Sequence, residues 1–285
     1  MSRLRLVTRM LRRCSSAALG LAFTLTLFAP LGANAVDGVI EINHVAALAG
    51  GITPGDTAGY PVTIDTHGSY RLTGDLLPAT SGVRGIEVLS GPVTIDLNGF
   101  AIIGPGICVG INPSCSGTLL TVGIEVIANQ SVRIQNGTLT GLLTGINVPN
   151  DPSVTNSTLD IDRVVIEGNS GTGVLLSAPG SSQIHRSSIS RNQLGGLNIA
   201  LIHTTHVSNT MFRSNVGFGI TSTGSTSLIE NSMIIGTSGV GLNSFFLSLP
   251  SPLLGYRAMI FSSNSTNIVG GTQLGDNVCS GSLCP

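Results

Sequence analysis

The chain has 285 residues, of which 41% are hydrophobic and only 9% charged, with 38 glycines, no tryptophan and a formal net charge of -1. A mean hydropathy of +0.40 excludes disorder driven by low hydropathy and high charge, and the length suits one elongated domain or two small ones. All 13 basic residues are arginine and they form no stripe, so nucleic-acid binding has no electrostatic footprint.

Met1 to Arg13 carries five arginines and no acid; an apolar run from Ala17 to Phe28 follows, then Ala33, Asn34 and Ala35. This order predicts a secretory signal peptide over residues 1–35 and a mature chain from Val36, secreted or periplasmic. The apolar run is too short to span a bilayer, and no membrane span is expected in the mature chain. The Arg12–Arg13 pair has the look of twin-arginine export, but its flanks fit poorly, and Cys14 lies before the apolar run, where lipidation does not occur. Removing the leader leaves eight arginines against fourteen acids, a net of -6, which disfavours a polyanionic substrate.

Residues 36–84 are expected to form an N-terminal cap and lead-in, residues 85–266 a repeat, and residues 267–285 a C-terminal cap. The repeat is marked by glycines at 85, 123, 145, 173, 196, 219 and 241, at intervals of 38, 22, 28, 23, 23 and 22. A period of 22 to 23 with two insertions, alternating apolar residues and few helix formers predicts an all-β solenoid of about seven coils. Numbering coils from Gly85, one inward row is Leu97, Ile134, Ile161, Ile184, Val207 and Ile229. A second lies five residues on: Ile102, Leu139, Ile166, Ile189, Phe212 and Ile234. Three residues further, Asn169, Asn192 and Asn215 superpose, so their amides are expected to bond from rung to rung as a ladder.

Four cysteines follow the leader. Cys108 and Cys115 sit in the loop that lengthens coil one, and Cys279 and Cys284 near the C-terminus. Local pairing, Cys108 with Cys115 and Cys279 with Cys284, is the simplest of three connectivities in an oxidising compartment. Zinc is the rival reading, disfavoured by the spacings and by the lack of a nearby histidine.

The phrases VTIDLNGFAIIG (Val93 to Gly104), VRIQNGTLTG (from Val132), DGVIEIN (Asp37 to Asn43) and PVTIDTHGSYRLTGDL (Pro61 to Leu76) resemble the right-handed parallel β-helix proteins of the pectin-lyase-like superfamily, in particular secreted bacterial members without assigned activity. The resemblance implies a single-stranded right-handed parallel β-helix, and the right-handed rule for parallel crossovers agrees. It does not carry over a catalytic set. The paired-Asp, Gly-His-Gly and Arg-Ile-Lys motifs of polygalacturonase-like members are missing, and Asp160 and Asp162 share a strand while Glu230 is three rungs away, roughly 14 Å, too far to complete a calcium-binding carboxylate cluster. No metal site and no cofactor is expected.

Chemistry on such a scaffold sits on outward strand positions. Alternation puts Asp96, Arg133, Asp160, Gln183, His206 and Leu228 outward before the first inward row, and Asn98, Gln135, Asp162, His185, Ser208 and Glu230 outward after it. The candidate site is the face of coils three to six. Asp162 and His185 are the candidate acid–base pair, both at positions read as exposed, with Asp160, Arg163, Arg186, His206, Ser208 and Glu230 as binding residues. Insertions at Pro149 to Thr158 and Ser244 to Gly255 leave from one corner and would wall this face as a groove. Charge pairing on neighbouring strands without function explains the same residues. The functional readings are a glycan-binding or cell-surface structural module, a polysaccharide lyase or glycoside hydrolase, and an adhesin-like passenger, which no anchoring tail supports.

Overall fold

Strand stacking begins at Val39, well before the first repeat glycine. The structure is a computed structural model that describes residues 38–116, 120–200, 203–245 and 254–284. The expected leader and most of the Ser244 to Gly255 loop lie outside the described residues. A turn consists of a leading strand, which carries the repeat glycine in the repeat, then a second and a third strand that meet at a corner and run on as one strand in coils two and three, Ser131–Thr140 and Ser157–Glu167. The leading strands form a nine-stranded sheet, and the second and third strands together form a seventeen-stranded one. In coil four these are Thr172–Leu176, Gly180–His185 and Ser188–Ser190. The solenoid has about eight turns rather than about seven, because the leading strand Val62–Ile64 stacks beneath Arg84–Val88 and adds a turn ahead of coil one.

Among the described residues every strand pairing is parallel except two. Ile107–Val109 with Ser114–Ser116, and Val278–Cys279 with Ser282–Leu283, are antiparallel hairpins. Each is stapled by a disulfide, Cys108–Cys115 in the first and Cys279–Cys284 at the second. One helix, His44–Ala49, is capped by Asn43, whose side chain accepts the Ala46 N–H at 2.9 Å, and buries Ala47 in the core. No helix among the described residues is long and apolar enough to cross a membrane.

The interior is built from apolar rows, since rungs stacked about 4.8 Å apart leave no water between them to solvate a polar side chain. The first row runs through Ile134, Ile161, Ile184, Val207 and Ile229, and the second through Ile102, Leu139, Ile166, Ile189, Phe212 and Ile234. In coil one the partner of Ile134 is Ile95, not Leu97. Coil one has a longer corner: Asn98 and Gly99 are both left-handed, with φ 52 and 81, and Leu97 is an additional buried residue inside the bend. Gly137 makes room for it, because a Cβ there would overlap Leu97. The shift moves Asp96 beside Gln135 and Thr94 beside Arg133. A third row, not read from the sequence, follows each repeat glycine: Ile86, Ile124, Ile146, Val174, Leu197, Ile220 and Leu242.

The glycines and asparagines are two halves of one device. A Cβ on any repeat glycine from Gly85 to Gly219 would lie under 3 Å from the carbonyl oxygen of the next one, so only glycine fits. On Gly173 and Gly196 it would also meet the amide of the coil's own ladder residue, Asn192 or Asn215, at 2.9 Å. Those amides are fully buried; Asn169 Nδ2 donates to Asn192 Oδ1 at 2.9 Å and Asn192 Nδ2 to Asn215 Oδ1 at 3.1 Å. Each oxygen also accepts a backbone N–H of the preceding coil, 3.3 Å from Asn169 N and 3.0 Å from Asn192 N, which satisfies donors at a corner no strand ladder covers.

Candidate functional site

The outward residues of the second strands are close neighbours, as stacking requires. Arg133 pairs in register with Asp160, and Asp162 with His185. Asp162, however, is buried, with no exposed side-chain surface, and is not the open position that alternation suggested. Three guanidinium groups from three coils cover it. Arg186 is bidentate, Nε to Oδ1 and Nη2 to Oδ2 both at 2.8 Å; Arg133 Nη2 lies 3.2 Å and Arg163 Nη2 3.4 Å from Oδ2. The hydrogen bonds from Arg186 hold the Asp162 carboxyl below its usual range, reinforced by the charges of His185, Arg163 and Arg186, and the same bonds raise Arg186. A carboxylate enclosed by three cations has little basicity to offer a substrate.

His185 turns toward a different partner from the one expected. Its Nε2 is 2.9 Å from Asp160 Oδ1 and 3.7 Å from Asp162 Oδ1. The 2.9 Å approach lacks hydrogen-bond alignment, and neither atom has another hydrogen-bond partner among the described residues. Asp160 Oδ2 also forms an ion pair with Arg133 Nη1 at 3.1 Å. The His185 and Asp160 side chains are each 24% exposed, where Asp162 is fully covered, but the two facing atoms are themselves buried.

The remaining candidates form a second, separate cluster. His206 Nε2 lies 2.9 Å from Glu230 Oε1, and Arg257 Nε donates to Glu230 Oε2 at 2.6 Å. The hydrogen bond from Arg257, and then that from His206, lowers the Glu230 carboxyl. Ser208 lies between the clusters, in register with both His185 and Glu230. Among the described residues no group of three or more His, Cys, Asp or Glu converges as metal ligands.

A groove among the described residues lies one corner further along than the expected one. It has a volume of about 660 Å³ and follows the bend between second and third strands from coil three to coil seven. One rim is a row of left-handed residues, Arg163, Arg186, Asn209 and Asn231, with φ between 49 and 55. The floor is the outward row of the third strands, Val165, Ser188, Met211, Met233 and Ile260, paired rung to rung. Of the eight candidate residues, only Arg163 and Arg186 line it, and the Pro149 to Thr158 insertion does not. That insertion folds instead onto the corner of coil two, where Asn129 Oδ1 accepts the Thr155 N–H at 2.6 Å. The floor is readable in the sequence, since Val165, Ser188, Met211 and Met233 each immediately precede a member of the second inward row, and Ile260 precedes Phe261, which stacks on Ile234.

A family described as right handed beta helix region matches residues 120–278, more than half of the chain. The chain matches no curated protein and no solved structure. The parallel turns, the three inward rows and that match lead to one conclusion: the chain belongs to the right-handed β-helix family.

Proposed function

We propose that this β-helix is an exported module that binds an extended glycan along the groove between the second and third strands of coils three to seven. The observation that carries the reading is the groove's repetition. It crosses five successive rungs at right angles to the strands and offers side chains at a spacing of about 4.8 Å, which suits a linear polymer of repeating units. Its rim of guanidinium and amide groups provides donors and acceptors for hydroxyls, and its floor of Val165, Met211, Met233 and Ile260 provides an apolar bed for ring faces. Export is supported by the arginine-rich leader in the sequence and by two disulfides, which persist in oxidising compartments.

Binding is favoured over catalysis because the carboxylates of this face are engaged: Asp162 by three arginines, Glu230 by Arg257 and His206. One observation supports the second reading, a polysaccharide lyase or glycoside hydrolase. Asp160 and His185, partly exposed side chains that meet without hydrogen-bond alignment, are the pair that could exchange a proton with a substrate able to displace their buried contact. Glycan-array screening of the secreted chain, followed by product analysis on any sugar retained, separates the two. Retention without new ends is expected, and Ile260→Glu, an exposed floor position, should reduce it at least tenfold. Unchanged retention in that variant would remove the groove; release of unsaturated or reducing ends, lost in Asp160→Asn and His185→Ala, would establish the enzyme.

A further inference from the structure

A second pocket, of about 630 Å³, opens from the same floor on the opposite side, sharing Ser188 and Met211 with the groove. Its far wall is the disulfide hairpin of coil one, through Gly110 and Ile111. The hairpin is held across the coils: Gly106 N–H donates to the Gly141 carbonyl at 2.8 Å, and a Cβ on Gly168 would sit 3.9 Å from Cys108 Cβ. The other lining groups are unusual for an exterior sheet face. Ser190 and Ser214 are more than nine-tenths buried, and neither they nor Ser188 form a side-chain hydrogen bond to another described residue. Arg213 is exposed and next to Ser190 in register. Of the six arginines from Arg133 onward, five hold a carboxylate, including Arg191 with Glu167 at 2.6 Å, whereas Arg213 holds none among the described residues.

We infer that this pocket is a subsite for a tetrahedral oxyanion, a sulfate or phosphate ester on the ligand, with Arg213 as its counter-ion and the hydroxyls of Ser188, Ser190 and Ser214 as donors. Serine hydroxyls that no other described residue engages, and a guanidinium that holds no carboxylate, each lack what such a group brings, namely acceptor oxygens and negative charge. The donors come from two adjacent rungs. Ser188 and Ser190 lie on one rung, Arg213 on the next, and Ser214 beyond it at the left-handed corner, φ 54, so they meet oxygens pointing in several directions better than they meet a flat carboxylate. Glu167 is the one acid in the pocket and is already neutralised by Arg191. The acid excess of the chain as a whole does not decide the matter, because charges more than about 10 Å away are largely screened at 0.1 M salt. That the oxyanion is carried by a sugar rests on the glycan reading; the oxyanion pocket does not.

Calorimetric titration of the secreted chain with sodium sulfate, sodium phosphate and sodium acetate at constant ionic strength tests the pocket directly. Sulfate or phosphate should bind at least tenfold more tightly than acetate, and Arg213→Gln should lower that affinity at least tenfold. Arg257→Gln, on another strand and paired with Glu230, should leave it unchanged. The tighter of the two anions identifies the ester. Equal binding of acetate, or full binding by Arg213→Gln, would overturn the inference. Retention of neutral glycans with no oxyanion heat would overturn it and leave the glycan reading in place; oxyanion binding with no glycan retained on the array would do the reverse.

Discussion

Asp162 shows how a single residue departs from the alternation that places it. Period two puts it on the outer face, in register with Gln135 and His185. Its burial comes from long side chains of three coils, Arg133, Arg163 and Arg186, which fold across it while remaining 39%, 53% and 53% exposed themselves. Strand periodicity brings these charges onto one face and allows them to pair, but it carries no information about where a flexible guanidinium settles, so the enclosure of Asp162 by three arginines is not legible. The carboxyl is held low by Arg186, so its contribution to stability is fully present above the unfolded carboxylate value of about 3.9 and is lost as pH falls through the lower folded value. Asp162→Asn should cost about 2 kcal/mol near neutrality, less than the ~3–5 kcal/mol of a fully buried pair because the arginines are half in water. Urea melts of both proteins between pH 7 and pH 2.5 check this. The gap should narrow below pH 4; a gap constant with pH would assign the loss to packing instead.

At the scale of the repeating element, the sequence carried the two inward rows, the glycine period and the asparagine ladder, because each is enforced in every coil by contact with the next. What it did not carry were features belonging to one coil. The longer corner at Leu97 hides behind an ordinary five-residue count, and the groove depends on how sharply successive corners bend, which composition does not encode. The ladder's energetic role can be measured at Asn192. Replacing it with Leu removes the amide donated to Asn215 and leaves the backbone N–H and side-chain amide of Asn169 without their acceptor in a dry corner. With each buried unsatisfied group costing about 1–3 kcal/mol, Asn192→Leu should destabilise by about 3 kcal/mol. Chemical denaturation gives the value, and a change below about 1 kcal/mol would mean that the stacked amides are tolerated at this corner rather than required by it.

At the scale of the whole molecule, Val39–Pro285 forms one compact unit whose rungs touch only their neighbours, so its stability is a chain of nearest-neighbour couplings. A defect therefore matters most where it has folded turns on both sides. Ile184 occupies that position, fully buried in coil four between Ile161 and Val207. Ile184→Asp would place a carboxylate in the dry interior with no counter-ion beside it, at a cost of several kcal/mol against a typical domain stability of about 5–15 kcal/mol. Protonation offers only partial relief, since a neutral carboxyl still lacks hydrogen-bond partners there. The expected result is loss of the single cooperative transition, either to an unfolded chain or to two broader transitions as the turns on either side uncouple. The same substitution at Ile40, in the first described strand and only partly buried, should cost less, because it interrupts coupling at an end rather than in the middle. Calorimetry of both variants decides the point. Wild-type melting in Ile184→Asp would mean that the strand is out of register by one residue, which would exchange the apolar row for the face that carries Asp160, His185 and His206.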